Sequence, residues 1–126
     1  ANSFEIIKRV ICQDKLLLTP RDGGYAGTVD NLSELIDLSN AVVDFKTAKK
    51  PKDEKWIEDY KHQVSAYAVA IYDRMKIKVD TCRIWISNEV DINPQYFELN
   101  RDDIKKYYFS FRERLIDFHQ RHSLNQ

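Results

Sequence analysis

The chain has 126 residues, with 20 basic side chains against 20 acidic ones, and its length fits a single domain over 1–126 with a modest core. Its 43% hydrophobic and 32% charged residues, with three glycines and three prolines, exclude a disordered or fibrous chain. The neutral total excludes a protein that coats nucleic acid by bulk charge, and it leaves room for a local basic groove beside an acidic site.

Phe4 to Cys12, with β-branched Ile6, Ile7, Val10 and Ile11, reads as a first strand. Leu16 to Thr19 extends it or forms a short partner. Asp22-Gly23 is a hairpin signal, because a type I′ turn needs the positive φ that glycine adopts without a Cβ penalty. Tyr25 to Leu32 returns as a second strand, and Glu34 to Leu38, a turn at Ser39-Asn40, and Ala41 to Thr47 continue the meander. After a basic loop, Lys49 to Lys52, Asp53 is placed to cap a helix running to about Met75. Its apolar stripe is Trp56, Tyr60, Val64, Tyr67, Ala68, Ile71 and Met75. Thr81 to Ser87 and Gln95 to Leu99 read as strands around a turn at Asn88 to Pro94. Asn100 and Asp103 then open a last helix with Ile104, Tyr108, Phe111, Leu115 and Phe118 on its apolar face. This order predicts an α+β sandwich with a mixed central sheet and a helix packed against it.

Three short patterns carry chemistry: Gly27-Thr28-Val29-Asp30, then Val42-Val43-Asp44-Phe45-Lys46-Thr47, then Gln63-Val64-Ser65-Ala66-Tyr67. Side chains alternate along a strand, so Val42, Asp44 and Lys46 share one face and Val43 and Phe45 the other, the latter pair being expected in the core. An acid and a lysine on one face of an apolar strand are costly to bury without a partner. Asp30 ends the preceding strand, where it can meet Asp44 across the sheet. Two close carboxylates repel unless a cation lies between them or one takes up a proton. Oxygen ligands select Mg²⁺ or Mn²⁺, which can polarise a phosphate and acidify a bound water. Lys46 would orient that water or stabilise developing charge. The plainer alternative is a structural salt bridge between Lys46 and one aspartate. Gln63 and Tyr67, four apart on one helix face with Tyr60 and Trp56, would hold a ligand or water and a phosphate or base; alternatively Tyr67 is core and Gln63 its solvated neighbour.

In this order and spacing, Gly27-x-x-Asp30, Asp44-x-Lys46 and Gln63-x-x-x-Tyr67 resemble the RecB-type branch of the PD-(D/E)XK nucleases, in particular the mitochondrial genome maintenance exonuclease and its phage-encoded relatives. Lys49-Lys50-Pro51-Lys52 has a counterpart there too, and the resemblance runs from about Tyr25 to Ala70. It implies the αβββαβ nuclease core, with the first helix missing or truncated here. It also implies Mg²⁺ or Mn²⁺ as cofactor, with Asp30, Asp44 and the main-chain carbonyl of Phe45 as ligands, Lys46 as the catalytic lysine, and Gln63 and Tyr67 completing the site. The implied activity is exonucleolytic hydrolysis of DNA at single-stranded ends or flaps. Val29 stands where the class name has proline. Relatives carry upstream helices, often with a His or Glu that joins the site. Glu5 is the acid near the start of the first strand here, and its register is open. A chain lacking that segment is alternatively a weak or inactive module that binds nucleic acid or protein.

Lys49, Lys50, Lys52 and Lys55 are either phosphate contacts or a solvated loop and first helical turn. Trp56 and Tyr60 are base-stacking candidates, with core packing the plainer expectation. His119 and His122 are expected on the surface, and none of the three histidines has metal-ligand spacing with a cysteine. Cys12 and Cys82 match no metal motif and are expected reduced and buried, so no iron–sulfur cluster is anticipated. No apolar run approaches the roughly 20 residues of a membrane span, and no signal peptide is visible, so the expectation is an intracellular protein, cytoplasmic if bacterial or phage-encoded.

Overall fold

The computed structural model describes residues 7–124. Strand β1 (Ile7–Thr19) and strand β2 (Tyr25–Leu35) form a long antiparallel hairpin, and β3 (Asn40–Ala48) pairs antiparallel with β2. Helix α1 (Glu54–Met75) then crosses over the sheet to β4 (Thr81–Asn88), which pairs parallel with β3, and β5 (Gln95–Leu99) closes the far edge antiparallel to β4. Helix α2 (Arg101–Leu124) returns across the sheet beside α1. The protein is therefore α+β, with a mixed five-stranded sheet in the order β1-β2-β3-β4-β5 and flanking helices.

One core joins helices to sheet. Val64, Ala68 and Ile71 of α1 and Ile104 of α2 pack on Val29, Leu32, Val42, Cys82, Ile84, Ile86 and Leu99. Since Val42 lies on this face, so do Asp44 and Lys46 by the strand's alternation, and Asp44 is only 2% exposed. The expected sidedness is thus reversed. Val43 is buried on the opposite face with Ala41, and Phe45 is 45% exposed, because α1 covers the acidic side of β3.

Both helix starts follow the sequence signals. The Asp53 carboxylate accepts from the Trp56 amide at 3.2 Å. At α2, the Asp103 amide donates to Asn100 Oδ1 at 2.9 Å and the Asn100 amide to Asp103 Oδ2 at 3.0 Å, a reciprocal capping box. Leu16 to Thr19 extends the first strand, one of the two arrangements expected, and the part of that strand expected at Phe4 to Ile6 lies outside the described residues. Two expectations need correction. Glu34 to Leu38 is no separate strand: Glu34 and Leu35 end β2 and residues 36–39 turn, with the Asp37 carboxylate accepting from the Ser39 amide and hydroxyl. The hairpin at Asp22-Gly23 is real, but its connection is five residues long. It contains a 3-10 turn, Arg21–Gly23, with Asp22 at φ 55° and Gly23 at φ 99°. The turn is drawn out because α2 holds it: Tyr108 Oη and Arg112 Nε donate to the Asp22 carboxylate at 2.7 and 2.9 Å, and His119 Nε2 donates to the Gly24 carbonyl at 2.8 Å. His119 is therefore half-buried rather than on the surface, while His122 is exposed. Both cysteines are free, Cys82 buried and Cys12 only half-buried.

Asn100→Ala removes one arm of the capping box and should cost about 1 kcal/mol in urea unfolding with an unchanged m-value; a cost below about 0.3 kcal/mol would show that α2 does not depend on it.

Candidate active site

The site forms where β2 and β3 part. Their pairing stops at Asn31 and Val43, and the next residue of β2, Asp30, replaces a ladder partner with its side chain: Asp30 Oδ2 accepts from the Phe45 amide at 3.0 Å. That bond orients the Asp30 carboxylate alongside Asp44. The two are close enough that the charge of Asp30 raises the proton affinity of Asp44. Burial contributes most, Lys46 opposes it, and the Asp44 carboxyl is pushed up to about 6.

Lys46 lies two residues on and is held from three sides. Its Nζ is 3.2 Å from Asp44 Oδ2, donates to Gln63 Oε1 at 2.7 Å, and stands 5.0 Å from the centre of the Tyr60 ring. The contact with Asp44 is an ion pair without hydrogen-bond alignment, so Asp44 Oδ2 is a buried oxygen lacking a well-directed donor. Gln63 is thus no solvated bystander; it fixes the ammonium from α1. Tyr67, one turn on, is half-buried near both aspartates, and burial followed by their two charges pushes its phenol up to about 12. Its ring occupies the space that a side chain on residue 27 would fill: a Cβ on Gly27 would overlap Tyr67 Cε1. The glycine of the first pattern therefore serves to admit the tyrosine of the third.

Asp30, Asp44, Lys46 and Gln63 meet in one cluster, Tyr67 borders it, and the Phe45 main chain belongs to it through its amide. Among the described residues no group of three His, Cys, Asp or Glu side chains comes together, and Glu5 lies outside them. The donor set still suits a small hard cation. Two carboxylates, one with an oxygen short of donors, leave positions for a main-chain carbonyl and waters, which is how Mg²⁺ is commonly held.

Residues outside the three patterns also frame the site. Tyr60 packs against the core, as expected, and its ring also faces Lys46. A cleft of about 350 Å³ beside Gln63 and Tyr67 is bounded by Tyr25, His62, Phe111 and Arg114. The buried His62 joins the helices there: Nδ1 donates to the Glu58 carbonyl at 2.7 Å, and Nε2 faces Ser110 Oγ at 3.0 Å and Arg114 Nη2 at 3.3 Å. Only the burial pattern of α1, not a motif, signals it. Trp56 is 50% exposed rather than core, with Lys52 Nζ 4.6 Å above its ring. Lys49, Lys50 and Lys55 are exposed around it. The basic loop is fastened to β5 by Gln95, whose amide accepts from the Lys52 amide at 2.8 Å and donates to the Lys52 carbonyl at 3.2 Å.

The raised Asp44 carboxyl sets a pH dependence for the metal-free protein. Its proton affinity is higher folded than unfolded, so between pH 4 and 6 the folded state binds more protons and this group's contribution to stability falls as pH rises, then levels off. Asp44→Asn removes that slope. Relative to the unaltered protein in EDTA, the variant should gain about 2–3 kcal/mol between pH 4 and pH 7, read from urea unfolding; a difference independent of pH would contradict the burial of that charge.

No protein-family model and no curated protein matches the chain. Among solved structures it is similar to one from Eubacterium rectale named “Putative exonuclease”, with a TM-score of 0.53 and 12% identity, covering 92% of this chain and 48% of that one. The chain spans about half the length of that protein, and at this identity the likeness is one of fold. The α+β arrangement of a mixed five-stranded sheet with flanking helices is therefore shared with a structure named as an exonuclease.

Proposed function

We propose that the chain is a Mg²⁺- or Mn²⁺-dependent deoxyribonuclease of the RecB-type PD-(D/E)XK kind, acting exonucleolytically on single-stranded DNA ends or flaps. One observation carries this reading: two carboxylates and a lysine, spaced D-x-K on β3 with Asp30 opposite, converge at an opening in the sheet and are buttressed from α1 by Gln63. Shared fold with a structure named as an exonuclease supports it.

Asp30, Asp44 and the Phe45 carbonyl would hold the metal, which when bound supplies charge neutralisation at a phosphate and a more acidic water. Lys46, fixed by Gln63 and Tyr60, supplies a cation at a defined position, where it orients a nucleophilic water and stabilises negative charge as the phosphodiester is attacked. Tyr67 stays protonated at neutral pH and can donate to a phosphate oxygen. Exposed Trp56, with Lys52, Lys49 and Lys50, offers a stacking ring and cations on the approach to Lys46 along the same face of α1.

A second reading has its own support. Lys46 is engaged by both Asp44 and Gln63, and no third acid or histidine joins the aspartates among the described residues. This suits a module that binds DNA or protein on the nuclease fold and turns over weakly or not at all.

End-labelled single-stranded DNA incubated with Mg²⁺, with Mn²⁺ and with EDTA separates the two. The nuclease reading predicts metal-dependent cleavage that falls by at least about 10²–10³ in Lys46→Ala, assayed at a temperature where circular dichroism shows the variant folded. Cleavage retained in Lys46→Ala would sink the mechanism, and metal-independent retention of DNA without cleavage would favour the binding module.

A further inference from the structure

A second cavity lies on the helix layer, away from the carboxylates. It measures about 430 Å³ and opens between the C-terminal half of α1, the first turns of α2 and the segment joining α1 to β4. That volume is within the range of small-ligand pockets. Its floor is apolar, built from Ala68, Val79 and Ile104, all buried. Tyr72, 52% exposed and with Lys76 Nζ 5.9 Å from its ring centre, forms one wall, and Tyr108 forms another with its hydroxyl turned to Asp22.

The rim is wholly cationic. Two of its four cations are already neutralised, Arg21 by a two-point contact with Asp73 and Arg101 by Asp80 at 2.8 Å. Arg101 Nε is nevertheless a buried donor with no partner among the described residues. The other two, Lys78 and Lys105, stand on separate segments, are exposed, and have no ion-pair partner among the described residues. The pocket thus joins an apolar floor and an exposed tyrosine to two unspent positive charges. A neutral apolar ligand would leave both lysines uncompensated, and a bare inorganic anion would leave the floor and Tyr72 uncovered.

We infer that this cavity binds a nucleotide, with the base on Tyr72 over the apolar floor and the phosphate between Lys78 and Lys105. Lysine binds phosphate as a point charge and aromatic rings accept any base, so the site is tolerant of sequence. The choice of a nucleotide rests on the nuclease reading; the pocket and its charge do not. Asn40, at the start of β3, is tied to Lys78 and Asp80, whereas Asp44 and Lys46 lie four and six residues further along that strand. At about 3.3 Å per residue Asn40, which borders the Lys78 segment, lies roughly 13–20 Å along the strand from Asp44 and Lys46. The occupant is therefore either a nucleotide unit of the bound strand, held away from the point of cleavage, or a free mononucleotide.

Amide shift mapping on the Lys46→Ala protein in EDTA, titrated with dTMP, with a short oligothymidylate and with thymidine, tests this without turnover. Shifts at Val79, Ile104 and Lys105, weakened at least about tenfold in affinity by the Lys78→Gln, Lys105→Gln double variant, are expected with a phosphate-bearing ligand and are expected to be much weaker with thymidine. If dTMP produces them, the site takes free nucleotide; if only the oligomer does, it takes a unit of a strand. Shifts confined to the Gln63–Tyr67 side, no saturable shifts, or equal binding by the double variant would overturn the inference. Absence of cleavage by the unaltered protein would bear on the nuclease reading alone.

Discussion

Burial of the Asp44 carboxylate organises this molecule. A charge at 2% exposure on the helix-covered face of a central strand is tolerated only with compensation, and groups from β3 and α1 supply it. Lys46 on the same strand supplies the opposite charge, α1 supplies Gln63 and Tyr60 to keep that lysine in place, and β2 supplies Asp30, which works against neutrality. Adding Asp30 increases the cost of that burial. It turns an ion pair into a cluster with two carboxylates and one ammonium, a balance that a bound cation would restore under the proposed function. The pairing break between β2 and β3 serves the same arrangement, because a continued ladder would occupy the Phe45 amide that now fixes Asp30.

Close approach is the second constraint. Tyr67 reaches the site only because residue 27 has no side chain, so the first and third sequence patterns are complementary surfaces of one contact. On its other side α1 meets α2 through His62, and α2 in turn grips the β1–β2 turn through Tyr108, Arg112 and His119. Helix α2 has no residue in the carboxylate cluster, yet it fixes both the hairpin that carries Gly27 and Asp30 and the helix that carries Gln63 and Tyr67.

The sequence was most legible where local chemistry decides structure. Asp53 and the Asn100–Asp103 pair announce helix starts because side-chain caps act within three residues, and the bounds of α1 and β5 follow from periodicity between clear breakers. Grouping Asp44 with Lys46 likewise needed only alternation, whereas Asp30, expected at a strand end, lies inside β2 beside the point where its pairing with β3 stops. Alternation is silent on which face a helix covers, so Val43 and Phe45 were assigned to the core while the helices lay across Val42, Asp44 and Lys46. The same limit hid the exposure of Trp56: its helical spacing is that of the stripe, but it sits in the first turn of α1, ahead of the core-packed Val64, Ala68 and Ile71. The long turn at Asp22 and the half-buried His119 were illegible for a different reason. Their partners are some 90 residues apart in the chain, and no local signal encodes such contacts.

The central claim is that Asp30 and Asp44 together form a cation site. Calorimetric titration of the purified protein with Mn²⁺, repeated on Asp30→Asn, tests it directly. The account predicts a single site whose affinity drops at least about tenfold in the variant, with protons released on binding near pH 6, where the Asp44 carboxyl is partly protonated. Absence of Mn²⁺ binding, or equal binding by Asp30→Asn, would contradict it and leave Asp44 and Lys46 as a structural ion pair.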